Sequence, residues 1–461
     1  MLFSSHVFLF AFLPVVLLLY YISPRKLRNP VLLFVSLFFY GWGEPAYLLL
    51  MVATIVLNFL CGAWIAKLRQ KEKQAAYVVV IAVAANLLIL GYFKYAGFLA
   101  KSLQSLFPDF GGGKIPEILL PIGISFYIFQ SLSYVIDVYR GDAPVQKNLL
   151  TFGTYVTLFP QLIAGPIVRY QDVATQMESR RENIADFASG VLLFIAGLSK
   201  KVLLANPMGS LWNLAREGEG TLLAWAGITA YALQIYFDFS GYSDMARGLG
   251  RMLGFEFLEN FNYPYISRSI TEFWRRWHIS LSTWFREYVY IPLGGNRRGL
   301  PRQILNLLVV WMLTGLWHGA SWNFVLWGLY YAVFLIVEKL FLLKLLKGMP
   351  NLLCRCYTLL AVVLGWALFY FEDLSQLGVF LAKLFTFVPL TVSGINLISA
   401  HLPLMAVAFL ACTPVVHQAV TAAEERPLVR VGRLIAAGAA LLLCVAALAS
   451  QSYNPFIYFR F

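Results

Sequence analysis

The chain alternates long apolar runs with short polar breaks. Runs near 7–22, 30–42, 46–66, 76–98, 117–136, 186–206, 221–240, 303–319, 322–343, 352–371, 376–390, 401–420 and 432–450 are built mostly from Leu, Val, Ile, Phe, Ala and Tyr. A helix of about 20 such residues matches the hydrocarbon thickness of a bilayer. It also satisfies its own backbone where no water is present. The pattern predicts an all-α polytopic membrane protein with about 11–13 membrane helices, forming one integral domain over 1–461. The polar breaks set the orientation. Lys67, Arg69, Lys71 and Lys73 mark one cytoplasmic loop, and Arg297, Arg298 and Arg302 another. Arg25, Lys26 and Arg28 follow the first run, which has no basic segment before it. That order reads as a retained span with its N-terminus outside, not a cleaved signal.

Two regions do not fit simple spans. Phe152–Tyr170 contains Phe159-Pro160-Gln161-Leu162-Ile163-Ala164-Gly165-Pro166, whose prolines and glycine would break a spanning helix. Broken backbone at membrane depth is tolerated where protein covers it or a cavity adjoins it, so this region is expected to be re-entrant or to form short helices. The second region, Asn260–Gly299, is rich in arginine and aromatics. Within it, Phe273, Trp277, Leu281, Trp284 and Tyr288 recur at three- and four-residue steps, predicting one amphipathic helix over 271–288 at the membrane interface.

Composition supports the membrane assignment. Hydrophobic residues make up 60% of the chain and charged residues 13%, with mean hydropathy +0.70. Soluble domains average about 45–50% apolar and about 25% charged. The 36 Lys+Arg against 23 Asp+Glu fit loops facing anionic lipid or an anionic cosubstrate. These charges are scattered between runs and form no compact basic face, which argues against nucleic acid. Five cysteines with no CxxC pair argue against a disulfide framework and against a metal site.

The most informative residue is His318, within Trp311-Met312-Leu313-Thr314-Gly315-Leu316-Trp317-His318-Gly319. An ionisable side chain in an apolar span marks a functional site by default. Thr314, His318 and Ser321 are spaced to form a small polar stripe on that helix, as on a cavity wall. A structural histidine tying two helices together is the alternative. His278 shares a predicted helix edge with Trp274, Leu281 and Phe285. It fits either an interfacial histidine bonded to a carbonyl or a site residue. Arg275 and Arg276 suit lipid phosphates or the phosphates of a substrate. Asp238 sits near a span end, where it would face headgroup water or pair with an arginine. Asn58, Asn86 and Gln234 are expected to make interhelical hydrogen bonds.

Phe273-Trp274-Arg275-Arg276-Trp277-His278-Ile279-Ser280-Leu281-Ser282, followed by Trp284–Gly295, resembles the signature of the bacterial membrane-bound O-acyltransferases. Thr314–Gly319 resembles the family's second histidine motif. The opening residues, Phe159–Ile167, Phe237–Asp244 and Tyr453–Phe459 are similar to the branch containing the membrane subunits of alginate and peptidoglycan O-acetyltransferases. The resemblance implies helices around a central funnel and catalytic histidines at His278 and His318. It implies a thioester donor, either acetyl-CoA or a carrier-protein thioester, with no bound cofactor. It also implies a bacterial inner-membrane location and an extracytoplasmic acetyltransferase partner that modifies a polysaccharide. Donor contacts are then expected from Arg275, Arg276, Trp274, Trp277, Trp317, Thr314 and Ser321. The chemistry is consistent: acyl transfer from a thioester to a hydroxyl needs a base, and neutral His318 is the candidate. A transporter or flippase of a glycan or lipid-linked intermediate, and a non-catalytic scaffold, are the competing classes. The scarcity of carboxylates and histidines in the spans speaks against a proton relay.

Overall fold

The computed structural model describes residues 1–107, 118–423, 426–450 and 456–457. Among them there are helices and no strands; the one β-type contact is an isolated bridge between Phe261 and Trp277. Eight helices are long and apolar enough to cross a bilayer, among them Pro45–Gln70, Ala76–Leu106, Thr221–Met252, Leu300–His318 and Asn351–Tyr370. Phe8–Ile22 and Leu374–Phe385 are apolar helices of shorter length. The run expected at 401–420 is instead the helix Val392–Ala411, which carries Pro403 in its interior, followed by a separate helix Val415–Ala422.

The chain divides into two compact units, Met1–Phe194 with Met245–Leu258, and Ile195–Asp244 with Glu259–Phe461. In the first, two spanning helices exchange side-chain amides. Asn58 donates to Asn86 at 3.1 Å and Asn86 donates back at 2.8 Å, both fully buried. The proline-containing region forms short helices, Leu149–Thr157 and Phe159–Leu162, before the helix Tyr170–Glu178. Side chains take up the backbone groups freed at the breaks. Asn148 accepts from the amides of Leu150 and Thr151, Ser36 from that of Phe159, and Gln161 donates to the carbonyl of Tyr155.

The second unit is centred on an aromatic core that includes Trp212, Tyr231, Trp274, Trp277, Trp327 and Trp366. Leu300–His318 and Trp322–Val337 pack antiparallel with almost no gap between backbones. A methyl group at Gly315 would overlap the carbonyl oxygen of Phe324, and one at Gly328 would overlap that of Trp311. Small residues at such crossings let helices approach closely and gain dispersion contact where lipid supplies no hydrophobic drive.

The structure corrects the single helix expected over 271–288. Two seven-residue helices, Ile270–Arg276 and Ile279–Phe285, are separated by Trp277 and His278, and a wider helical turn follows at Arg286–Tyr290. The apolar stripe is real but the backbone turns inside it. Glu338 fixes the start of the first short helix. Its buried carboxylate accepts from the amides of Ile270 (2.7 Å) and Thr271 (2.8 Å), from the Thr271 hydroxyl (2.6 Å) and from the Tyr357 hydroxyl (3.2 Å). Hydrogen bonds to a charged group are worth about 1.5–3 kcal/mol each, and stranding their donors costs more. Glu338→Ala is therefore expected to destabilise the protein by about 3 kcal/mol or more, whereas Glu338→Gln loses less. Thermal unfolding in detergent compares the two.

Candidate functional site

His278 occupies the turn between the two short helices, with φ 46° and ψ 54°. This left-handed conformation costs a non-glycine residue about 1–2 kcal/mol. A clamp from Asn260 and Asn262, 18 and 16 residues upstream, holds it. The amide of Ile279 donates to the carbonyl of Asn260 at 3.0 Å, and the amide of Asn262 donates to the carbonyl of Arg276 at 2.9 Å. Asn260 Oδ1 then accepts from the Ser280 amide at 3.1 Å and the Ser280 hydroxyl at 2.9 Å, and lies 3.1 Å from His278 Nδ1.

This arrangement fixes the tautomer. A backbone amide can only donate, so the side-chain atom facing Ser280 must be oxygen, and His278 Nδ1 facing the same oxygen must carry the hydrogen. The lone pair is left on Nε2, which is buried and has no hydrogen-bond partner among the described residues. The ring is 1% exposed, packs edge-on against Phe239 at 4.7 Å, and lies outside the spanning helices. Burial drives its pKa down to about 3, so the ring is neutral at physiological pH.

His318 is the last residue of its helix and is buried. Gly319 follows with extended backbone, and a side chain there would collide with the Phe324 ring. Trp317 lies between the two histidines, its ring 5.9 Å from that of His278 and 5.1 Å from that of His318. Trp327 and Phe369 meet the His318 ring edge-on at 5.0 and 5.3 Å. His318 faces a narrow cavity of about 420 Å³. Asp238, Phe239, Trp277, Trp366, Phe369 and Ile457 are among the residues that line it.

The other expected site residues fall into three places. Trp277 lines this cavity, while Trp274 sits behind it against Trp311 (4.7 Å) and Tyr331 (4.8 Å). Arg275 is exposed and lines a separate groove of about 1000 Å³ with Arg268, Lys344 and Lys347; among the described residues Glu272 is the one carboxylate there. Arg276 turns away, bonding Glu272 at 3.0 Å and the carbonyl of Asn262 at 3.2 Å. The stripe of Thr314, His318 and Ser321 does not form. The helix ends at His318, Ser321 has extended backbone, and the Thr314 hydroxyl donates to the carbonyl of Val310 at 2.8 Å.

Asp238 neither faces water nor pairs with arginine. It is 2% exposed and forms an ion pair with Lys201, which is equally buried, while its second oxygen accepts from the amide of Ile457 at 2.8 Å. Asn260, Phe369, Phe456 and Ile457 were not marked by the sequence as site residues. Tyr453–Phe459 stood out only as a terminal motif, and of it only Phe456 and Ile457 are among the described residues. No local pattern marks Asn260, whose partners are 18 and 20 positions away.

Comparison with known proteins adds to this geometry. The profile of the membrane-bound O-acyltransferase family matches residues 34–377. The chain is 40% identical to "Probable alginate O-acetylase AlgI" of Azotobacter vinelandii and 41% identical to the protein of the same name in Pseudomonas putida, in each case over the whole of both chains. It is 33% identical to the peptidoglycan O-acetyltransferase of Helicobacter pylori over 82% of this chain and 78% of that one.

The buried imidazole of His278 makes stability depend on pH. The unfolded ring protonates near pH 6.5 and the folded ring only near 3, so the unfolded state binds the extra proton in between. The contribution of the neutral ring is full above pH 6.5 and declines as pH falls, by at most about 1.4 kcal/mol per pH unit. His278→Gln is expected to flatten the fall in melting temperature between pH 6.5 and 4. Parallel melts of both proteins over that range measure the difference.

Proposed function

Because the chain belongs to the membrane-bound O-acyltransferase family, we propose that this multi-pass membrane enzyme moves an acetyl group from a cytoplasmic thioester toward an extracytoplasmic polysaccharide, with His318 as the base. The observation that carries this reading is the placement of His318 on a cavity, with Trp317 linking it to a second histidine whose Nε2 lone pair is free of hydrogen bonds among the described residues. In the proposed step, the acceptor hydroxyl attacks the thioester carbonyl as His318 takes its proton. The C–O bond forms, the C–S bond breaks, and the proton is returned to the departing thiolate. His278, held neutral in one tautomer, orients the thioester or shares the proton.

The donor is proposed to be acetyl-CoA or a carrier-protein thioester. Either brings phosphate, and the groove at Arg268, Arg275, Lys344 and Lys347 offers four cations to it. The helix Asn351–Tyr370 relates the two places. Asn351 and Cys354 border the groove, whereas Trp366 and Phe369 line the cavity. Twelve residues of helical rise, from Cys354 to Trp366, span about 18 Å. A donor anchored by its phosphate at one end would have to reach the other with an extended arm.

The chain is proposed to work as one acyltransferase in a bacterial inner membrane, N-terminus outside, with a secreted or periplasmic acetyltransferase completing delivery. Alginate and peptidoglycan, named for the relatives, are the acceptor types favoured here.

A positioned base contributes about 10²–10⁴-fold to such a step. His318→Ala is expected to lower thiol release from acetyl-CoA, measured with the partner and acceptor present, by that factor while melting normally; turnover equal to wild type would remove His318 from the role. Arg275→Glu is expected instead to raise KM for the donor by roughly tenfold, about 1.4 kcal/mol, with a smaller change in kcat. Initial rates over a donor series separate the two effects.

A further inference from the structure

We propose that Ile457 is the wall that sets acyl-chain length, and that the buried Lys201–Asp238 pair holds it in place. This inference rests on the acyl-transfer reading above. Ile457 lines the His318 cavity, and it also lines a second, polar pocket bounded by Trp212, Arg216, Gln234, Tyr370, Asp373 and Gln376. Among the described residues it is the one common to the linings of the two. This aliphatic residue therefore borders both a narrow apolar chamber of about 420 Å³ and a wider, more polar pocket of about 990 Å³.

The other walls are poor candidates for tuning. Trp366 packs against Trp277 at 4.9 Å, Phe369 at 5.7 Å and Trp327 at 6.3 Å, so trimming it would open the aromatic core itself. Ile457 is held differently, by its backbone. Its amide donates to Asp238 Oδ2 at 2.8 Å, and the other oxygen of Asp238 pairs with Lys201. Lys201 Nζ lies 4.7 Å from the centre of the Phe456 ring, which also packs edge-on against Tyr242 at 4.5 Å. Backbone anchoring places the side chain without depending on it. Shortening the side chain should then lengthen the chamber toward the polar pocket and leave the anchor intact.

A hydrophobic wall discriminates by about 10–200-fold per methylene. The test uses full-length protein in lipid nanodiscs, with the partner and acceptor present, and acetyl, propionyl and butyryl thioesters of N-acetylcysteamine, short donors that do not need the basic groove. Thiol release is read for wild type, Ile457→Val and Ile457→Ala. Wild type is expected to prefer acetyl over butyryl by tenfold or more. The butyryl-to-acetyl ratio is expected to rise at least tenfold in Ile457→Ala and by less in Ile457→Val, with acetyl turnover persisting at a reduced level. A ratio that does not follow side-chain size overturns the inference, as does loss of all turnover in both variants. A wild-type protein inactive with every thioester overturns the acyl-transfer reading, and this inference with it.

Discussion

A backbone amide sealed from water must find an acceptor, and this constraint organises the second unit at three places where its helices stop. Three side chains meet it. Asn260 accepts from Ser280 at the His278 turn, Glu338 from Ile270 and Thr271 at the start of the preceding helix, and Asp238 from Ile457. Each acceptor is buried, and each serves a stretch of chain that lies far away in sequence. Together they help place His278 and Ile457, the first through its ring as well as its backbone surroundings and the second through its backbone amide alone.

The electrostatic arrangement follows from the same economy of charge. A carboxylate and an ammonium are both expensive to bury, and Lys201 and Asp238 are tolerated because each completes the other. Asp238 retains one oxygen for an amide, so the pair acts as a joint and not as an isolated contact. The arginines and lysines of the other groove remain at the surface, where they can attract an anion without that desolvation penalty. The cationic groove and the mostly aromatic cavity lie at different points along the length of one helix.

Much of this was readable in the sequence. The apolar runs are long enough that few other solutions exist for them, and their positions mostly hold. The prolines between Phe152 and Tyr170 announced broken helix, and broken helix is found there. His318 stood out because its surroundings are so apolar. The turn at His278 was not readable, because the three-and-four spacing of Phe273, Trp277, Leu281 and Trp284 continues straight through it. Periodicity reports which residues want to be buried; it says nothing of an asparagine 18 positions away that makes a left-handed turn tolerable. The stripe of Thr314, His318 and Ser321 failed for a related reason. Gly319 ends the helix because its backbone must pass the Phe324 ring, a contact made only after the chain has reversed. Ile457 lies at the far end of the sequence from the residues it faces, and no local spacing could place it.

The bare crossing of Gly315 and Gly328 carries a mechanical consequence. With two backbones pressed together, those helices have no compressible side chains between them and cannot slide without colliding. His318, at the tip of this strut, behaves as a fixed post. Any change in the shape of the chamber beside it would have to come from walls on other segments, such as Phe239, Phe369 and Ile457.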